Sequence, residues 1–258
     1  MSDVEQPQVF VNRFGDAAGP GDRETARDTC RCMAQPKQAK RFHADRQDTR
    51  APGWLRLLEL IEQAAADGRE KFTPLAELSA QERRQVVTLP ASIGTLTEVK
   101  HLVLYGSNLV RIPPQIGLMR SLKVFEPYTS YRLHWFPYEL TRCPQLVGST
   151  VSTRAVYGNY KTRLSFPKLA EPGRPPATPD PGRWGADEIL SCSVCDQALT
   201  GGETRQVWIS RGVGSDVLPL LVNACSQACV DALPKPAANH VPVVHTGGRE
   251  VAQPATQW

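Results

Sequence analysis

The chain has 258 residues, 41% of them hydrophobic, which is enough for one or two cores at about 100–200 residues per domain. Its 30 Lys and Arg against 26 Asp and Glu leave a net charge of +4, and the basic residues are scattered, so the cationic run of a nucleic-acid tail is excluded. The strongest apolar run, VLPLLV at 217–222, is broken by Pro219 and falls far short of the ~20 residues a membrane helix needs, so no membrane partner is expected.

Residues 1–50 mix Gly, Pro, Arg, Asp and Gln with few apolar positions, and order there is expected only on a partner or a docking surface. The opening MSDVEQPQVF lacks the apolar stretch of a secretory signal, and seven cysteines grouped with short gaps suit metal ligation in a reducing compartment, so a cytoplasmic protein is expected. Residues 51–85 read as capping helices. PGWLRLLELIEQAAADG has Pro52 in its first turn, spaces Leu55, Leu58, Ile61 and Ala65 at three or four residues and stops at Gly68. Ser79-Ala-Gln-Glu82 is a capping box for a second, short helix through Arg84.

Residues 86–169 carry a repeat. Within VKHLVLYGSNLVRIPPQIGLMRS, the leucines at 102, 104 and 109, then Ile112-Pro113, Ile116 and Met119 follow LxxLxLxxNxLxxIPxxIxxL. Leu89-Pro90, Ile93 and Gly94 precede Ile112-Pro113, Ile116 and Gly117 by 23 residues, and Phe136-Pro137 follows one residue late. A stretched final unit runs from Leu146 through Ser149, Val151 and Val156 to Phe166-Pro167-Lys168-Leu169. Residues 86–146 resemble the short intracellular leucine-rich repeats that read LPxxIGxLxxL. The resemblance implies an α/β fold, a short solenoid whose N-terminal end is closed by a capping helix. Ser107 stands where that pattern has Asn, so its inner hydrogen-bond ladder is altered or taken over by serine.

In such a repeat the residues flanking the LxL leucines face outward. That assigns Lys100, His101, Val103, Tyr105, Lys123, Val124, Glu126 and Tyr128 to one surface, the expected contact for a protein partner. The adjoining YTSYRLHWFPYE concentrates Tyr128, Tyr131, His134, Trp135, Phe136 and Tyr138 beside Arg132, either as interface anchors or as packing beneath an irregular unit.

AEPGRPPATPDPGRW has five prolines and no apolar period, so 170–188 reads as an extended linker. Residues 189–234 hold Cys192-Ser-Val-Cys195 and Cys225-Ser-Gln-Ala-Cys229, separated by 29 residues. Two cysteines two apart grip a cation from a tight turn, and a pair at i and i+4 does so from the first turn of a helix. RQVWISR and VLPLLVNA read as strands about a Gly-Ser turn, giving the order knuckle, hairpin, helix. The arrangement resembles the TRASH and MYM-type class of small zinc domains, and the resemblance makes Cys192, Cys195, Cys225 and Cys229 the ligands of a structural Zn²⁺ in an α+β module. Four thiolates leave no open position for a catalytic water. Cys30-Arg-Cys32 with His43 nearby is a weaker second constellation, and Cys143 reads as packing. Residues 235–258 read as a flexible tail. No GxSxG, HExxH, Walker or GxGxxG motif is present, so a non-enzymatic scaffold is expected, with nucleic-acid binding through the zinc module (Arg205, Arg211) as the alternative. Against that alternative, VDAL after Cys229 is acidic and apolar, not basic.

Overall fold

The structure is a computed structural model that describes residues 42–43, 45–159, 164–169, 191–199 and 204–254. Cys30, Cys32 and the 170–188 segment lie outside these. Among the described residues, mixed α and β elements include two sheets, one wholly parallel and one mixed, with few helices. Among the described residues, no helix is long and apolar enough to cross a membrane.

Helix α1, Pro52–Asp67, begins on Ala51 with proline in its first turn and ends on Gly68, whose φ of 65° suits a residue without a Cβ. Its buried stripe is Trp54, Leu57, Leu60, Ile61 and Ala64, not the stripe expected from Leu55, Leu58, Ile61 and Ala65; Leu55 is 48% exposed. Leucines lie on both sides of the period, but Glu62 falls on the Leu55–Leu58 side, and Trp54 joins Leu57 and Leu60 on the side that turns inward. Helix α2, Ala80–Gln85, carries the capping box: Glu82 N–H donates to Ser79 Oγ (3.3 Å) and Ser79 N–H to Glu82 Oε2 (2.8 Å). The two helices touch at Gly53, where a Cβ would lie 2.3 Å from the Glu82 carbonyl oxygen.

Four short parallel strands form the first sheet, in the order β1 (Lys71–Phe72), β2 (His101–Val103), β3 (Val124–Glu126) and β5 (Gly148–Ser149). His101 stands opposite Val124, and Val124 opposite Gly148, so successive steps span 23 and then 24 residues as the Pro spacing predicts. Leu102 and Phe125 point inward, completely buried, while their neighbours in each strand remain partly exposed.

Behind the strands lie 3-10 helices at Ala91–Thr95, Pro114–Leu118 and Tyr138–Arg142, each entered from a proline: Pro90, Pro113 and Pro137. Proline presets φ for the turn. The helices stack closely because of two glycines. A Cβ on Gly94 would come 2.9 Å from the Gln115 carbonyl oxygen, and one on Gly117 would come 2.5 Å from that of Glu139. The third unit has the exposed Thr141 at this place, its hydroxyl donating to the Tyr138 carbonyl (2.7 Å), and the next residue, Arg142, donates to the Ser193 carbonyl.

Serines form a row of hydrogen bonds inside the turns. Ser107 Oγ and Ser130 Oγ are 2.6 Å apart, Ser107 N–H donates to Ser130 Oγ (3.2 Å), and Ser130 Oγ donates to the Leu104 carbonyl (3.1 Å). Thr129 N–H donates to Ser152 Oγ at 2.7 Å, so the ladder continues into the next unit. Ser130 and Ser152 thus add side-chain partners to backbone groups of the turns, while Ser107 Oγ bonds to Ser130 Oγ.

The second sheet has the order β4 (Phe136–Pro137), β7 (Asp216–Ala224), β6 (Arg205–Val213). β6 and β7 form the expected hairpin about Gly214-Ser215, and β7 pairs in parallel with β4, Phe136 opposite Leu220. One cluster of buried side chains therefore runs from Leu57 through Leu102, Phe125 and Leu140 to Cys192, Leu220 and Ala224. A second holds Trp135, Tyr157, Phe166, Trp208, Leu221 and Val241.

Both flanks expected to be loose are packed where they are described. Phe42 stacks on Trp208 (centroids 5.6 Å) and meets Trp135 edge-on, and His43 stacks on His134 at 5.2 Å. Asp45 pairs with Arg132 (2.6 Å), and Gln47 bonds to the Gln85 carbonyl and the Val87 amide. Toward the C-terminus, Val241 is buried, and His245 and Trp208 exchange backbone hydrogen bonds along the free side of β6.

Candidate metal centre and outward sheet face

The knuckle that carries Cys192 and Cys195 closes on itself, since Cys192 N–H donates to the Gln197 carbonyl (2.8 Å) and Asp196 N–H to the Cys192 carbonyl (3.1 Å). Asp196 adopts a φ of 62°, which Asp tolerates better than most side chains. The knuckle is fastened to β7 twice: Ser193 N–H donates to the Asn223 carbonyl (2.8 Å) and Asn223 N–H to Ser193 Oγ (2.9 Å). Cys225 follows β7, and Cys229 lies one turn on, in α3, Gln227–Asp231, whose capping Ser226 accepts from Cys229 N–H at 3.2 Å.

This local geometry brings four thiols together. The sulfurs of Cys192, Cys195, Cys225 and Cys229 all lie within 4.8 Å of one another, with Cys225 Sγ 3.6 Å from both Cys195 Sγ and Cys229 Sγ, so the set could hold a metal ion. All four ligand positions expected from the spacing are thus gathered at one point. Cys192 is completely buried and Cys195 exposed, so the cluster opens to solvent on one side. Burial alone would raise the Cys192 thiol, but amide hydrogen bonds, among them those from Val194 and Cys225 (both 3.4 Å), outweigh it and bring the group down to about 7. Cys229 moves the other way, up to about 12; the Ser226 hydroxyl favours its thiolate, but the neighbouring thiols oppose it. Four sulfurs this close do not all ionise without a cation between them, whereas a divalent ion would hold four thiolates tetrahedrally.

Arg142, on the third 3-10 helix, reaches across to this knuckle. Its guanidinium donates to the carbonyls of Ser193 (2.7 Å) and Cys192 (3.3 Å) and pairs with Asp196 at 2.5 Å. Beneath it, burial raises the Glu139 carboxyl above its ordinary range against a hydrogen bond from Ser193. The sequence gives no sign of either role, because both partners lie about fifty residues away.

The outward face of the parallel sheet carries the other expected residues, and here too neighbouring units align them. Lys100 pairs with Glu70, His101 Nε2 is 2.8 Å from Glu126 Oε2, and the rings of Tyr105 and Tyr128 lie 5.9 Å apart, tilted by 48°. Val103 and Val124 are half-buried between them, and Lys123 is exposed. Tyr128 and Tyr131 are 44% and 39% exposed, while His134, Trp135 and Phe136 are buried, so the aromatic segment divides between surface and core. Thr129, beside Tyr128, has a φ of 59°, an uncommon conformation for a β-branched residue, at the turn where the preceding unit has Gly106. Comparing its sequence with Gly106 could have revealed that strain.

Arg205 and Arg211 are engaged within the chain: Arg205 bonds to Gln227 (3.4 Å) and Arg211 to the Lys235 carbonyl (2.6 Å). Cys143 is buried against the Ile116 carbonyl (3.4 Å), and burial pushes its thiol up to about 11. Compared with known protein families and with curated proteins, the sequence matches none.

Proposed function

We propose that this chain is a non-enzymatic protein-interaction scaffold: a short leucine-rich-repeat solenoid that presents its outward strand face to a protein partner and carries a structural Zn²⁺ site of Cys192, Cys195, Cys225 and Cys229. The carrying observation is the alignment of outward side chains on a hydrogen-bonded parallel ladder, with Tyr105 on Tyr128 and His101 on Glu126 in adjacent units. Groups already fixed by neighbours and by backbone lose little freedom on binding, so the contact surface needs little further ordering. Tyrosine rings such as those of Tyr105 and Tyr128 are among the side chains that anchor protein contacts. For the cation, zinc suits four sulfur ligands in a closed tetrahedral set, whereas hard ions such as magnesium prefer oxygen.

The test is a photo-crosslinking amino acid placed at Tyr128 and, as a control away from the face, at Leu118. A polypeptide crosslinked from 128 and not from 118, resistant to nuclease and lost in Lys123→Glu, supports the reading. Crosslinks that vanish with nuclease, or binding that falls steeply with salt, would replace it with nucleic-acid recognition.

A further inference from the structure

We propose that the metal site regulates the partner face, by holding the last strand of the parallel sheet in place through the β6–β7 hairpin. The inference rests on the scaffold reading above, which supplies the face being regulated.

Strand β5 is the outer strand of its sheet, joined to β3 on one side only. A two-residue edge strand has little stability of its own. Its other side is held by the hairpin tip: Ser149 Oγ donates to the Val213 carbonyl (2.8 Å), Ser215 Oγ donates to the Ser149 carbonyl (2.7 Å), and Asp216 N–H donates to Ser149 Oγ (3.1 Å). Gly214, at φ 60°, allows this approach, since a Cβ there would lie 2.9 Å from the backbone of Gly148 and Ser149. The tip is a single hairpin turn from β7, and the far end of β7 runs directly into Cys225.

Two bonds between Ser193 and Asn223 tie that far end to the knuckle, and Arg142 ties the knuckle to the third repeat unit. The hairpin is thus fastened at one end by the cysteine cluster and fastens β5 with the other. β5 in turn backs β3, which carries Val124 and Glu126, with Lys123 and Tyr128 at its ends. Without a cation the four thiols crowded within 4.8 Å lose their common anchor, the knuckle and α3 loosen, and the Ser193–Asn223 tie that steadies the far end of β7 loosens with them. The hairpin tip then holds Ser149 less firmly, and β5, a two-residue strand at the edge of its sheet, frays and loosens the edge of the partner face. Loss of zinc in this scheme weakens partner binding without a metal–partner contact.

Hydrogen–deuterium exchange on the full chain, with Zn²⁺ bound and after removal by a chelator, tests this without any partner. Metal content is measured alongside. The expected result is a loss of protection of about tenfold or more at the amides of Val147, Gly148 and Thr150, while Leu57–Ala64 of α1 keeps its protection. Ser149→Ala in the zinc-loaded chain should loosen the same three amides and retain the metal. Exchange that rises only in 191–199 and 223–231 would overturn the coupling, as would a general loss that includes α1. A chain that binds no zinc at all would sink the metal site and this inference together; a failed crosslink at Tyr128 with the exchange pattern intact would sink only the face.

Discussion

Replacing Gly117 with alanine probes the stacking of the 3-10 helices at its tightest point. Elsewhere such a change is mildly stabilising, by about 0.4–1 kcal/mol, because alanine restricts the unfolded chain. Here the new methyl would sit 2.5 Å from the Glu139 carbonyl oxygen and 3.0 Å from both its carbonyl carbon and its Cβ. Backbone cannot swing aside, so the next 3-10 helix must shift, at the ~1–3 kcal/mol typical of overpacking. Gly94→Ala should cost less, since Leu118 Cδ1, one of its two obstacles at 2.9 Å, belongs to a side chain that can turn. Thr141→Ala, at the equivalent exposed position of the third unit, should stay within about 0.5 kcal/mol of the parent. Urea midpoints at constant slope give the three differences, and the melting temperature of Gly117→Ala should fall by roughly 3–10 °C. A Gly117→Ala chain as stable as the parent would refute the stacking argument, and so would a reversed order of the two glycines.

Three further outcomes are expected. Ser130→Ala removes the hydroxyl shared by Ser107 and the Leu104 carbonyl, and should cost about 1–3 kcal/mol in the same urea experiment, whereas a neutral result would mean the ladder is incidental. Thr129→Gly relieves a positive φ at a β-branched residue and should stabilise the chain by about 1 kcal/mol; a loss of stability would show that the strain is offset by packing. Burial holds the His245 imidazole down at about 4. Because the folded value lies below the ordinary 6.5, its contribution is fully present above pH 6.5 and is lost as pH falls toward 4, an effect of about 3 kcal/mol at most. Trp208, bonded to His245 through the backbone, should report this by fluorescence, and His245→Phe should flatten the pH profile; an unchanged profile would contradict the assignment.

The elements legible in the sequence are those whose signals are local. The capping box at Ser79 and Glu82 needs only four residues, the hairpin about Gly214-Ser215 only two strands with a turn, and the prolines at 90, 113 and 137 mark the recurring turn. The gathering of four cysteines followed from their spacing, because a knuckle and a helical turn each bring two sulfurs close. What escaped was long-range or depended on phase. Asp45 meets Arg132 across 87 positions, and His245 pairs with Trp208 through the backbone, so neither flank betrays its docking by any pattern of its own. The pairing of Phe136–Pro137 with Leu220–Leu221 is equally invisible, because a two-residue strand carries no alternation to read. In α1 the leucines fall on two faces, and the Leu55–Leu58 face includes the exposed Glu62 whereas Trp54, Leu57, Leu60, Ile61 and Ala64 share the buried one.

The most direct measurement of the account's central claim is the metal content of the full chain, purified reduced in zinc-containing buffer, by mass spectrometry under native conditions, beside Cys225→Ser/Cys229→Ser. The account predicts one zinc ion per parent chain and none in the variant. A reduced parent chain free of metal would contradict it, leaving the four gathered thiols without the cation on which the proposed scaffold depends.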